Sequence, residues 1–271
     1  MQCDDCRAVY PKNRLSRYEC DSHWQAFFSD DAISKFASRF QKKIRVMSGD
    51  VVFREMKKLR LKVGENGLDI GTFLGFQLRY MEEIGLDAYG IESNAAPVSF
   101  AQEKGLKVFK GYFPDDIPEE IYGQLFSLIT ARESHYYFDD LKSGFMTIFN
   151  LLKPGGVFIM TSHQGLSNFY KSGTSLYQRF GDFVQTVSTR ESLLYQLDAV
   201  GFESVVIKAY PEDYLKNYYG FSLPGPYVIQ GVLNKLLPKV LFPVERADGF
   251  CVLARRPLKG AEMGGGSRGC I

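Results

Sequence analysis

The sequence predicts an α/β protein built on a mostly parallel sheet. Three observations carry this. From residue 66 onward, short apolar strands alternate with helical segments of about ten residues. The helical segments stop at glycines, Gly85, Gly105 and Gly201, where a left-handed residue closes a helix. The first strand runs into a Gly-x-x-x-Gly turn that opens a helix. Strands and helices in such alternation form βαβ units around a parallel sheet.

In order, Leu68-Asp69-Ile70 is the first strand and Leu74 to Glu83 the first helix of this series. Ala88 to Glu92 is the second strand, Pro97 to Lys104 a helix, Leu106 to Lys110 the third strand and Leu125 to Thr130 the fourth. Leu141 to Leu152 is a helix halted by Pro154-Gly155-Gly156, and Val157 to Thr161 the fifth strand. Arg190 to Ala199 is a helix, followed by strands at Glu203 to Lys208 and Gly249 to Ala254. The connection between these last two strands is too long for a hairpin. It carries Tyr210, Tyr214, Tyr218, Tyr219, Phe221 and Tyr227 and is read as an insertion over 210–247. Upstream, Ile33, Phe36, Ala37, Phe40 and Ile44 recur at helical spacing, and Val51, Val52, Met56 and Leu59 resume it after Gly49. The chain therefore divides into a polar segment 1–25, a helical lead-in 26–62, a main domain 63–257 and a flexible tail 258–271.

Composition narrows the function. Of 271 residues, 45% are apolar and 24% charged, enough for a full core and against disorder or a fibrous chain. Lys and Arg number 33 against 31 Asp and Glu, so no general attraction to nucleic acid is expected. No apolar run reaches the length of a membrane span. The chain opens without an apolar signal core, and a cytoplasmic location is expected.

Two local patterns point to chemistry. In Asp69-Ile70-Gly71-Thr72-Phe73-Leu74-Gly75 an acid ends the strand, and backbone N–H groups at a helix start face a ligand. Phe73 stands where a dinucleotide fingerprint needs its second glycine, which argues against a pyrophosphate. Glu92, at the end of the second strand, suits a ribose diol, whose two hydroxyls a carboxylate can accept. At the N-terminus, Cys3-x-x-Cys6 and Cys20-x-x-His23 have the spacing of a structural zinc site with three thiolates and one imidazole.

With these residues in place, the stretch from about 64 to 208 plus the last strand resembles the class I S-adenosylmethionine-dependent methyltransferases. Leu68-Asp69-Ile70-Gly71 with Gly75 is similar to their first motif, Glu92 to their ribose-binding acid, and Leu151-Leu152-Lys153-Pro154-Gly155-Gly156-Val157 to the turn before their fifth strand. Phe73 departs from the family, which often has glycine there. The resemblance implies a seven-stranded Rossmann-like sheet and a cofactor site of Asp69, Gly71, Thr72, Gly75, Glu92 and Thr130. It places adenine after the third strand, where Tyr112 or Phe113 would stack on it and Asp115 or Asp116 would accept its amino group. It also implies that the N-terminal cysteines are a reduced zinc module.

For the reaction, transfer to an oxygen of a small molecule, such as a sugar or secondary metabolite, is expected, with a histidine taking the proton. His135 follows the fourth strand and His163 the fifth, so both loops open at one sheet edge, and either is a candidate base. The 210–247 insertion is read as a wall of the acceptor site, a dimer surface or a peripheral membrane contact. A nicotinamide-dependent oxidoreductase, a non-catalytic methyltransferase-like binding protein and a nucleic-acid methyltransferase are the competing readings.

Overall fold

The computed structural model describes residues 51–163, 186–209 and 249–258, together with Cys3, Ala8, Ser16, Glu19, Ser22, Ile33 and Ser34. The described elements are α1 (Val51–Lys58), β1 (Asn66–Ile70), α2 (Phe76–Glu83), β2 (Asp87–Glu92), α3 (Ala95–Glu103), β3 (Lys107–Lys110), β4 (Phe126–Arg132), a 3-10 turn (His135–Tyr137), α4 (Leu141–Leu151), β5 (Leu152–His163), α5 (Arg190–Val200), β6 (Glu203–Ala209) and β7 (Gly249–Arg255). The strands form one sheet in the order β3-β2-β1-β4-β5-β7-β6. Pairs from β3 through β5 are parallel. β7 runs antiparallel to both β5 and β6, so the sheet is mixed at one end.

Alternation along the strands makes three layers. On β5, Val157 and Ile159 join the apolar cluster with α1, α2 and α3, while Phe158 and Met160 join that with α4 and α5. On β7, Cys251 goes to the first cluster, and Phe250, Val252 and Ala254 to the second. A sheet buried on both faces reads as continuous apolar runs, as Val157 to Met160 of β5 do, while β4 buries Ser127 and Thr130 among its apolar residues.

α1 is the described helix at the end of the lead-in. Its Phe53 ring stacks on Tyr80 of α2 at 4.3 Å. Its buried Glu55 accepts from Lys58 and from Lys208 of β6, each at 2.7 Å, so the helix is tied to the far end of the sheet. Ile33, also helical, joins the same core. Among the described residues no helix is long and apolar enough to cross a membrane. The rest of 1–50, the 210–247 insertion and the tail beyond 258 lie outside the described residues.

The chain leaves β1 outward to β3, then crosses back to β4 beside β1. Open α/β sheets bind ligands at such a reversal, beyond the carboxyl ends of the strands.

Candidate cofactor and acceptor site

The turn after β1 is wound by three positive φ angles at alternate positions, Gly71 (71°), Phe73 (51°) and Gly75 (81°). Gly71 N donates to Ile91 O at 2.9 Å, pinning the turn against β2. A Cβ at Gly71 would stand 2.6 Å from Ser134 Cβ, so glycine is required there for space as well as for conformation. Ser134 is held in place by its own Oγ, which donates to Ile70 O at 2.8 Å. Phe73 adopts the left-handed conformation with a full side chain.

Two buried carboxylates flank this turn. Asp69 accepts from Gln77 Nε2 at 2.6 Å, Thr130 Oγ1 at 2.7 Å and Thr72 Oγ1 at 2.8 Å. These donors come from α2, β4 and the turn, so one side chain gathers three elements. Burial pushes the Asp69 carboxyl up from 3.8 to about 6, and the three hydrogen bonds and the Arg132 charge offset only part of that. Glu92 accepts from Phe73 N and from Asn94 N, each at 2.9 Å. Burial raises its pKa as well, against those backbone hydrogen bonds. Thus Glu92 sits at the end of β2 with one oxygen on the glycine turn and the other on the start of α3.

The loop after β3 divides its residues. Tyr112 and Asp116 exchange backbone hydrogen bonds, Tyr112 N to Asp116 O at 3.0 Å and Asp116 N to Tyr112 O at 2.7 Å. The half-buried Tyr112 hydroxyl reaches Tyr137 O at 3.4 Å, linking this loop to the one after β4. Phe113 packs in the core, its ring 5.3 Å from that of Phe138, and Asp115 is exposed.

Beyond β4, Arg132 and Glu133 are half-buried, and His135 is fully buried with its ring 4.1 Å from Tyr136. His163 ends β5 in register with Gly249 of β7; its side chain is outside the described residues. His135, in the turn after β4, and His163, at the end of β5, therefore stand at the carboxyl edge of adjacent parallel strands. Sequence reasoning missed Gln77, Asn94 and Ser134. Asn94 carries a readable signal, an Asn just before a helix; its Oδ1 caps α3 by accepting from Ala96 N at 3.1 Å. Nothing in the sequence marks Gln77 or Ser134, whose roles come from contacts across the fold.

The zinc expectation does not stand. Among the described residues no group of three or more His, Cys, Asp or Glu is placed to hold a metal ion. Of the four expected ligands only Cys3 is described. Its backbone N donates to Ala8 O at 2.8 Å. Cys6, Cys20 and His23 lie outside the described residues. Cysteine spacing alone does not bring four donors to one point, which a tetrahedral site requires.

The sheet order, the glycine turn and the two strand-end carboxylates define a class I Rossmann-like methyltransferase fold. The chain belongs to the methyltransferase domain family, whose model matches residues 36–207. Over 168 residues it is 26% identical to phosphoethanolamine N-methyltransferase 1 of Zea mays, covering 59% of this chain and 32% of that protein. It thus spans about a third of that relative's length. Among solved structures, it is similar in fold to a Haemonchus contortus phosphoethanolamine N-methyltransferase 2 in complex with phosphomonomethylethanolamine and S-adenosylhomocysteine. That match has a TM-score of 0.54, 18% identity, and covers 92% of this chain and 61% of that one. A Haloferax volcanii complex of a methyltransferase with its activator gives a TM-score of 0.59 at 14% identity, covering 86% and 99%. These names correct the expected oxygen acceptor: the curated relatives methylate a nitrogen. An amine nitrogen attacks through its own lone pair once any ammonium proton is gone, whereas a hydroxyl gives up its proton during the transfer.

Proposed function

We propose that this chain transfers the methyl group of S-adenosylmethionine to the nitrogen of a small amine, with phosphoethanolamine-like phosphoamines as the first class to try. The observation that carries the proposal is the pair of buried carboxylates, Asp69 and Glu92, on either side of the glycine turn at the sheet reversal. The donor set fits the cofactor. Two buried amide atoms beside the carboxylates, Asn94 Nδ2 and Gln77 Oε1, have no hydrogen-bond partner, as expected where a polar ligand completes the site.

In this reading Glu92 holds the ribose, Asp69, Gly71, Thr72, Gly75 and Thr130 form the floor at the methionine end, and Tyr112 borders the adenine beside Phe113 and Asp115. When bound, the cofactor supplies an electrophilic methyl on a sulfonium. The chain's contribution is mostly placement. An ammonium acceptor must also shed a proton before its lone pair is free, and His135 or His163 at the acceptor edge would take it. The main domain 63–257 is the catalytic unit, working in the cytoplasm on a small-molecule acceptor, with 210–247 as acceptor wall, dimer surface or membrane contact.

Isothermal titration with S-adenosylhomocysteine tests the cofactor half. Micromolar binding is expected, with none for NAD, and Glu92→Ala should lose about 1.5–3 kcal/mol of binding. Unchanged affinity in that variant refutes the assignment. Turnover with amine panels tests the acceptor half. His135→Asn should keep cofactor affinity and lose about 10²–10⁴-fold in rate. If it turns over normally while a His163 variant fails, the roles swap.

A further inference from the structure

Asn94 does more than start a helix. It is the N-cap of α3, with φ −89° and ψ 125°, and its Oδ1 accepts from Ala96 N. That bond fixes which end of the amide is oxygen, so the other end is a donor by elimination. Asn94 is only 8% exposed, and its Nδ2 has no hydrogen-bond partner. A cap needs an oxygen alone, and Ser, Thr or Asp supplies one equally well. Capping therefore does not explain the amide, and burying an unanswered donor is unfavourable.

Asn94 is tied to Glu92 through its backbone. Asn94 N donates to Glu92 Oε1, and the other Glu92 oxygen takes Phe73 N of the glycine turn. A ribose hydroxyl both donates and accepts. The carboxylate answers the donating half only; an amide N–H at the same strand end answers the accepting half. Gln77 has the other partnerless buried amide atom, but it is an acceptor, and the rest of that amide is engaged on Asp69.

We infer that Asn94 is a specificity-determining residue whose Nδ2 donates to a ribose hydroxyl of the cofactor held by Glu92. This rests on the cofactor reading above. Asn94→Ser keeps a capping oxygen and removes the donor. Asn94→Asp also keeps the cap but sets a second carboxylate beside Glu92.

The experiment is titration of wild type and both variants with S-adenosylhomocysteine and with its 2′-deoxy and 3′-deoxy ribosyl analogues, beside thermal melts. Melting temperatures should stay close to wild type. Asn94→Ser should weaken S-adenosylhomocysteine about three- to tenfold, the worth of one neutral hydrogen bond, and Asn94→Asp should weaken it further. For one of the two deoxy analogues the Ser substitution should make no difference, because the partner hydroxyl is gone. Equal losses for all three ligands, or none for any, overturn the inference while leaving the cofactor reading intact. No binding by wild type refutes that reading, and the inference falls with it. A check independent of variant folding is the Asn94 side-chain amide resonance of wild type, identified by its absence in Asn94→Asp. It must move when S-adenosylhomocysteine is added; a stationary signal overturns the inference.

Discussion

Asp69→Asn is expected to make the free protein more stable at neutral pH. Burial holds the Asp69 carboxyl up at about 6 in the folded chain, against an ordinary 3.8. Below pH 3.8 the group is protonated folded or unfolded and costs nothing. Between pH 3.8 and about 6 the unfolded chain gives up this proton while the folded one holds it, so stability is lost across that window and the loss is complete above it. At about 1.4 kcal/mol per pH unit the loss reaches about 3 kcal/mol above pH 7. Asparagine has the same shape and never ionises. Its Oδ1 can keep the hydrogen bonds from Gln77 Nε2 and Thr130 Oγ1. Its new NH2 faces Thr72 Oγ1, which now donates to Asp69 Oδ2 but can turn to accept. No hydrogen bond need be lost. Urea unfolding of both proteins without cofactor, from pH 4 to pH 8, should show near-equal stability in acid and an Asn advantage of about 2–3 kcal/mol at pH 8. A difference that does not grow with pH, or an Asn variant weaker at pH 8, refutes the argument. A carboxylate kept at such a cost is what a binding site, rather than a core, retains.

Two further outcomes are expected. Gly71→Ala should destabilise by about 2–4 kcal/mol, combining the left-handed penalty with the 2.6 Å approach to Ser134 Cβ; in thermal melts, adding Ser134→Gly should restore only the steric part. Lys208→Met should destabilise by about 1–2 kcal/mol, because buried Glu55 is left with Lys58 alone. Burial raises the Glu55 pKa, but hydrogen bonds from Lys208 and Lys58 more than offset it and hold the group below its ordinary 4.5. The stability it adds is present above that value and lost as pH falls through the lowered one, so the Lys208→Met deficit should close in strong acid.

Much of the sheet was legible because its strands are buried on both faces and punctuated by glycine. β1, β2, β4 and α4 lie within a few residues of their expected bounds. The helix expected from Leu74 begins at Phe76, because Gly75 is still left-handed and belongs to the turn. The helix expected from Pro97 begins two residues earlier, at Ala95, because Asn94 supplies the cap. β5 is longer than Val157 to Thr161: the Pro154-Gly155-Gly156 run interrupts its pairing with β4 rather than preceding it, and Leu152 still pairs with Phe126. For the site, Asp69 and Glu92 were visible as strand-end acids, whereas the hold of Thr130 and Gln77 on Asp69 is long-range and invisible to local pattern. The resemblance places Phe113 near the adenine; that its ring also meets Phe138 is a contact only the folded chain brings about.

The reversed direction of β7 also shapes how such a chain can change over generations. β6 ends and β7 begins at the edge where the carboxylates and both histidines stand. A seventh strand parallel to its neighbours would have to be entered from the opposite edge, and its connection would span the sheet. Here length can be added or removed between two fixed anchor points without altering any strand pairing. Closing a flexible connection twice as long costs only about 0.6 kcal/mol. The antiparallel strand thus leaves a lineage free to change length at the carboxyl edge of the sheet while Asp69 and Glu92 keep their places.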